Sequence, residues 1–119
     1  MTRLATAIVL LVASLLPAAA QEVTSGKGAV LRGLDKVAGT TVDLRIENGE
    51  SSTLGQLNIG VSDCRYPKDN PSADAFAHVT ITAAGNLVLF DGWMIASSPA
   101  LSALDHPRYD VWVISCINS

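Results

Sequence analysis

The sequence contains few of the residue types on which most enzymatic and metal chemistry depends. Its 119 residues include two cysteines, two histidines and only 5% aromatic side chains. A zinc site built on two histidines would also need two or more carboxylates. The chain has no CxxC pair, no GxSxG serine motif and no glycine-rich phosphate loop. These absences argue against a thiol redox enzyme or a nucleotide-binding protein, and we expect neither a metal nor a cofactor.

Charged residues are also scarce, at 16%, and the 11 acidic side chains outnumber the 8 basic ones. A nucleic-acid-binding protein needs a basic surface, so we expect no nucleic-acid partner. The length allows one domain and excludes a multidomain enzyme. The composition therefore favours a small, single-domain protein.

The first 20 residues have the pattern of a cleaved secretory signal peptide. Arg3 provides the positive start, Leu4–Leu16 form a short apolar segment, and Ala18–Ala20 supply small residues at the cleavage site. The apolar segment is about 13 residues long, whereas a membrane-spanning helix needs about 20. We predict cleavage before Gln21, export to the periplasm, and no transmembrane anchor after cleavage.

The two cysteines, Cys64 and Cys116, are predicted to form a structural disulfide. Exported compartments preserve disulfides, and two cysteines allow only one intramolecular pairing. The alternatives are a buried free pair and a bridge between two molecules. Both cysteines lie in the exported part of the chain, which is why the disulfide is the favoured interpretation.

Strand parity complicates this pairing. In a regular strand Cys64 would share its face with Gly60 and Ser62, whereas Cys116 would share its face with apolar Trp112. The two sulfur atoms can meet only if Cys64 lies beyond the regular strand, or if a bulge near Gly60 switches the face. We predict such an irregularity.

The remainder of the chain alternates apolar and polar residues in short segments separated by Gly, Asn and Pro. The clearest strand is Thr41–Glu47, and Asn48-Gly49 after it is a strong tight-turn signal. Cys64–Asp74 is predicted to be a loop. The other predicted strands are Gly28–Leu34, Thr53–Ser62, Ala75–Thr82, Leu87–Phe90, Trp93–Ala96 and Tyr109–Ile117.

One short helix is predicted after these strands. Ser98 is a suitable N-cap, Pro99 suits the first helical position, and Leu101 and Leu104 are spaced to share a face. His106 would end the helix.

These elements predict an all-β domain over residues 28–119, preceded by a flexible N-terminus over residues 21–27. We expect a small antiparallel sandwich or a partly open barrel of six to seven strands with one short helix. Strand spacing leaves the choice between sandwich and barrel open.

Two segments are distinctive enough to identify relatives. Residues 92–101 read GWMIASSPAL and residues 104–113 read LDHPRYDVWV. With Leu34-Asp35-Lys36 and the two cysteines, they resemble the exported alphaproteobacterial proteins grouped as domain of unknown function 2155. The resemblance covers about Gly28 to Cys116. It implies a Gram-negative envelope location and a shared fold, and it transfers no functional residue.

The most suggestive polar group lies around His106. Asp105 and Asp110 flank this histidine, and carboxylates beside a histidine can support general-base catalysis. Ser98 could then supply a nucleophile. We favour a structural interpretation, because a histidine suits the end of a helix and a serine suits its start.

Trp93 and Tyr109 are the candidate binding residues, because a tryptophan after Gly92 at a strand start is suited to an exposed position. Trp112 alternates with apolar residues and is expected in the core. The leading hypothesis is a non-enzymatic periplasmic binding or structural module with an envelope-protein or cell-wall partner. The alternative is a small periplasmic hydrolase that uses His106 with Asp105 or Asp110.

Overall fold

The computed structural model describes residues 22–100 and 103–118, so the predicted signal peptide lies outside the described residues. This part of the chain contains nine β-strands and one short 3-10 helix at Ala84–Asn86. The strands are β1 (Val23–Ser25), β2 (Gly28–Asp35), β3 (Thr40–Glu47), β4 (Glu50–Leu54), β5 (Leu57–Pro67), β6 (Phe76–Ala83), β7 (Leu87–Ile95), β8 (Leu104–Asp105) and β9 (Tyr109–Ile117).

The strands form two antiparallel sheets. Sheet A has the order β1-β5-β6-β7, with β4 also paired to β5. Sheet B has the order β3-β2-β9-β8. Neither sheet closes into a barrel within the described residues, and the inner faces of the two sheets share one core. The predicted all-β class is confirmed, and of the two predicted architectures the protein adopts the sandwich.

The core follows the alternation in the sequence most clearly in β6. Ala77, Val79 and Ile81 are fully buried, while the intervening His78 and Thr80 face outward. Opposite them, sheet B contributes inward side chains from β2 and β9. The fully buried large side chains are Leu31, Ile46, Ile59, Val61, Val79, Ile81, Met94, Val111 and Val113.

Two predicted elements in the middle of the chain are wrong in extent. Thr53–Ser62 is not one strand, because Gly55 has a φ of +57° and turns the chain between β4 and β5. Cys64–Asp74 is not a loop throughout, because β5 continues to Pro67. The polar and proline residues of this segment obscured the strand, whose backbone is paired on one side with β6 and on the other with β1.

Cys64 and Cys116 form a disulfide that links the two sheets, with their Cα atoms 5.7 Å apart. The irregularity that this pairing required is a bulge at Ser62, where Ser62 and Asp63 of β5 together oppose His78 of β6. The bulge turns Cys64 to the inner face, where it is fully buried.

A second bulge brings the other cysteine inward. The β2–β9 register shifts at Ile114, so that Val113 and Cys116 both face the core although their spacing is odd. Trp112, expected in the core, instead lies half-buried on the outer face of sheet B, opposite Arg32. Parity counted along an uninterrupted strand therefore gave the wrong face for Trp112.

The predicted helix beginning at Ser98 is not present. Residues 99 and 100 form a turn, residues 101 and 102 lie outside the described residues, and Leu104–Asp105 form β8. The amide of Ser98 donates to the carbonyl of Ile95, 3.1 Å away. Capping propensity gave a helix signal here, but pairing of β8 with β9 buries Leu104 in the sandwich core, and this tertiary contact prevails.

The N-terminal segment, predicted to be flexible, is held by backbone hydrogen bonds. Within it, β1 pairs with the end of β5. The amides of Gly26 and Lys27 donate to the carbonyls of Cys64 and Ile117 at 2.7 and 2.6 Å. Small polar side chains suggested fraying, but these bonds use the backbone alone and do not depend on side-chain type.

Candidate functional site

Two of the residues considered for catalysis, Asp105 and Asp110, lie at one end of sheet B, where they form ion pairs. Asp105 and Asp110 face each other across the β8–β9 pair, and Lys36 Nζ lies 3.2 Å from Oδ1 of each. Hydrogen bonds from Lys36 to Asp105 and to Asp110 raise the pKa of this lysine. The Asp105 side chain is 92% exposed and that of Asp110 is 31% exposed, so these are surface ion pairs at the ends of three strands.

His106 is also held by the backbone. Its Nδ1 accepts a hydrogen bond from the Arg108 amide at 3.0 Å, and its own amide donates to the Tyr109 carbonyl. The lone pair of Nδ1 is therefore directed at the Arg108 amide and not at a substrate. The hydrolase arrangement predicted from the sequence therefore gains no support from this geometry.

The turn between β2 and β3 completes this structural network. The Asp35 carboxylate accepts hydrogen bonds from the amides of Val37 and Ala38 and lies 3.2 Å from Arg108. The Ala38 amide and the Arg108 guanidinium lower the pKa of Asp35. Tyr109, predicted as a binding residue, is buried in the core with only 5% of its surface exposed, and is not available to a partner.

Trp93, the other predicted binding residue, is exposed on the outer face of sheet A. It stands on β7 with 42% of its surface accessible. Its cross-strand neighbour His78 packs edge-on against the indole ring, with the ring centroids 5.3 Å apart. The Arg65 guanidinium lies 5.2 Å from the centroid of the same indole ring. The tryptophan is therefore exposed and also contacted by side chains from β6 and, beyond it, β5.

A row of polar contacts fixes the two side chains that touch Trp93. His78 Nδ1 lies 2.6 Å from the Ser62 hydroxyl, and Arg65 Nε donates to the Asp63 carboxylate at 2.9 Å. Ser62 and Asp63 are the residues of the β5 bulge. The bulge thus has two consequences. It turns Cys64 toward the core, and it places Ser62 and Asp63 in contact with His78 and Arg65, the two side chains that touch Trp93.

Beside Trp93 the outer face of sheet A forms a shallow apolar groove of about 280 Å³. We call it the Trp93 groove; it is lined by Val23, Arg65, Phe76, Trp93 and Ile95. Val23 is 45% exposed at one side, while Phe76 and Ile95 are half-buried in its floor. The groove combines an apolar surface with one cationic side chain at its rim.

Sequence reasoning found one residue of this groove and missed the rest. The sequence predicted the strand Ala75–Thr82, which contains Phe76 and His78, but not which strand lies beside it. Arg65 was missed because its segment was predicted to be a loop. Val23 was missed because the segment containing it was predicted to be flexible. The cross-strand register alone brings these side chains together.

No group of three or more His, Cys, Asp and Glu side chains in residues 22–100 and 103–118 is arranged to hold a metal ion. Over the same residues, no helix has the length and apolar character to cross a membrane.

Comparison with known proteins identifies the family. Residues 29–116 match the family model described as an uncharacterized protein conserved in bacteria, DUF2155. The chain belongs to this family. The matched region includes both cysteines and Trp93. It also contains both sheets of the sandwich, except for β1, the first residue of β2 and the last residue of β9.

A relative from Rickettsia prowazekii supports the assignment to DUF2155. That protein, described as uncharacterized, is 30% identical over 97 residues. The aligned region covers 78% of this chain and 61% of the relative, so this chain spans less than two thirds of that protein. No solved structure matches this DUF2155 protein.

Proposed function

We propose that this protein is a non-enzymatic binding module exported to the bacterial envelope, and that it binds a partner protein through the Trp93 groove. The observation that carries the proposal is the exposure of Trp93 beside an apolar groove while two neighbouring side chains hold its ring. Tryptophan and arginine are the residue types most enriched among the residues that dominate protein-interface energetics.

The construction of the groove favours binding to another protein. His78 and Arg65 restrict the Trp93 ring before any partner arrives, so little side-chain entropy is lost on association. The groove is shallow and lies on a flat sheet face, which suits a protein surface better than a small molecule that must be enclosed. A partner that covers Trp93, Val23 and the groove floor would remove apolar surface from water.

Export is supported by the signal-peptide pattern of residues 1–20 and by the disulfide, because disulfides persist in exported proteins and are rare in the cytosol. The expected mature protein begins at Gln21. Mass spectrometry of protein from the periplasmic fraction should give the mass of residues 21–119, with the disulfide intact. Protein that keeps Met1 and fractionates with the cytosol would contradict export.

Truncation of Trp93 is expected to abolish partner capture without unfolding the protein. Trp93→Ala removes the exposed ring, while the buried core beneath it is unchanged. In pull-downs from envelope extracts, a true partner should be retained by the wild-type protein and lost by Trp93→Ala. Loss of an interface tryptophan of this kind costs on the order of 2 kcal/mol or more, which corresponds to roughly 30-fold in affinity.

The matched control is Val42→Ala on β3 of sheet B, because Val42 is 43% exposed, almost the same as Trp93. This variant should capture the partner as the wild type does. A photo-reactive residue at position 23, in the groove, should cross-link the partner, whereas one at position 37, in the β2–β3 turn, should not. Equal capture by all three proteins, or cross-linking only from position 37, would disprove binding through the Trp93 groove.

A further inference from the structure

Strand β7, which carries Trp93, is an edge strand of sheet A. On one side it pairs with β6 along its whole length, and no strand pairs with its other side within the described part of the chain. Two further large apolar side chains of β7, Leu87 and Val88, are 61% and 56% exposed. An edge of this length with exposed apolar residues is a template for another strand.

The hydrogen-bond pattern shows which backbone groups of β7 point outward. The Ala96 amide donates to the Ala75 carbonyl at 2.9 Å, and these residues continue the β6–β7 register. Hydrogen-bonded pairs alternate in an antiparallel ladder, so Met94 and Gly92 also bond to β6. The amides and carbonyls of Asp91 and Trp93 consequently point away from β6, toward the open edge.

The side chains of these same residues lie on the outer face, beside the groove. Asp91 is exposed, accepts a hydrogen bond from the Thr80 hydroxyl at 3.1 Å, and lies 3.8 Å from His78 Nε2. It is flanked on this face by Trp93 on one side and by Val88, beyond a bulge at Leu89, on the other. The edge therefore presents an acidic position between two apolar ones.

We propose that the partner binds by strand addition: an extended segment of another protein pairs with the Asp91–Trp93 edge of β7 and places a basic residue opposite Asp91 and apolar residues beside Trp93 and Val88. This inference rests on the proposed binding function and specifies its mode. Main-chain hydrogen bonds between the added segment and β7 provide affinity, and every second side chain of the segment, on the outer face, provides specificity.

A basic segment of another protein fits this edge better than a second copy of this chain. In a two-fold antiparallel β7–β7 pair centred on Asp91, the two Asp91 carboxylates would lie directly opposite each other. In the pair centred on Gly92 they would be diagonal neighbours on the same face. Like charges at such positions destabilise a strand pair, and the chain carries a net charge of −3. In these two registers the edge selects against self-pairing, and the exposed Asp91 carboxylate favours a cation opposite it.

The test uses amide hydrogen exchange of the exported protein, measured by NMR, with a defined peptide as probe. The probe is a capped seven-residue peptide with the sequence Thr-Val-Thr-Lys-Thr-Val-Thr. The matched control peptide has glutamate in place of lysine. A third peptide carries N-methyl groups on alternate backbone amides, so that its side chains are kept but one edge can no longer donate.

In the free protein the amides of Asp91 and Trp93 should exchange rapidly, whereas those of Gly92 and Met94 are protected by the β6–β7 ladder. The lysine peptide should slow exchange of Asp91 and Trp93 by about 10-fold or more at saturation, and leave Gly92 and Met94 unchanged. It should bind about 3- to 10-fold more tightly than the glutamate peptide, and Asp91→Lys should reverse this preference. N-methylation of the edge that faces β7 should abolish the protection.

Three results would overturn the inference. Unchanged exchange at Asp91 and Trp93 with saturating lysine peptide would exclude strand addition at this edge. Protection that develops without peptide as the protein concentration is raised would identify a second copy as the occupant. Partner capture that depends on Trp93 while both amides remain unprotected would leave the groove as the binding site and refute only the strand-addition mode. Loss of Trp93 dependence in the pull-down would instead refute the proposed function.

Discussion

Replacing both cysteines, in the variant Cys64→Ala/Cys116→Ala, is expected to lower the free energy of unfolding by about 4 kcal/mol. The bridge joins residues separated by 52 positions, and a chain-entropy estimate for a loop of this length gives about that value. Small domains are stable by only about 5–15 kcal/mol, so the loss would be a large fraction of the total. Urea denaturation of the wild-type protein and the variant, monitored by circular dichroism, measures the difference.

A reductant separates the effect of the bond from that of the side chains. Dithiothreitol should lower the unfolding midpoint of the wild-type protein toward that of the double variant, and should leave the variant unchanged. The N-terminal segment should also loosen in the variant, because the Gly26 amide bonds to the Cys64 carbonyl. A difference below about 1 kcal/mol between the oxidised wild type and the variant would show that the disulfide contributes little to stability.

Leu31→Ala is expected to destabilise the protein by roughly 2–5 kcal/mol. Leu31 is fully buried in the central part of β2, with Leu44 of β3 on one side and Val113 of β9 on the other. Truncation leaves a cavity that the two neighbouring strands cannot close without shifting their register, so the cost of the cavity adds to the lost transfer free energy.

The control for this prediction is Val42→Ala, on the strand next to Leu31. Because Val42 is 43% exposed, its truncation removes little buried surface and should change the free energy of unfolding by no more than about 0.5 kcal/mol. Thermal unfolding of the two variants and the wild type, followed by calorimetry, gives the comparison. Similar losses in both variants would contradict the burial of Leu31 in the sandwich core.

The residues of the catalytic hypothesis are close together in the sequence. Asp105, His106 and Asp110 are neighbours in sequence, so they could be recognised as a cluster at once. In the structure both carboxylates pair with Lys36, which is remote in sequence. Proximity along the chain therefore revealed a cluster of polar residues but not its chemistry.

The residues around Trp93, in contrast, are distant in sequence and adjacent only in the folded protein. Trp93 was recognised as an exposed candidate from its position after Gly92, and it is exposed. Its neighbours His78 and Arg65 come from two other strands, and nothing local to any of the three residues relates them. Only the β5–β6–β7 register determines that they stand side by side.

The sequence by itself determined the all-β class, the family and most strand positions, because these depend on local alternation, turn residues and short distinctive segments. It also required an irregularity on the path of Cys64, since the pairing of the cysteines conflicts with regular strand parity. Only the tertiary structure decided that two bulges, at Ser62 and Ile114, resolve this conflict, and that the residues around Ser98 form a turn and not a helix. The physical reason is that bulges, register and edge exposure depend on contacts between strands distant in sequence, which local propensity does not encode.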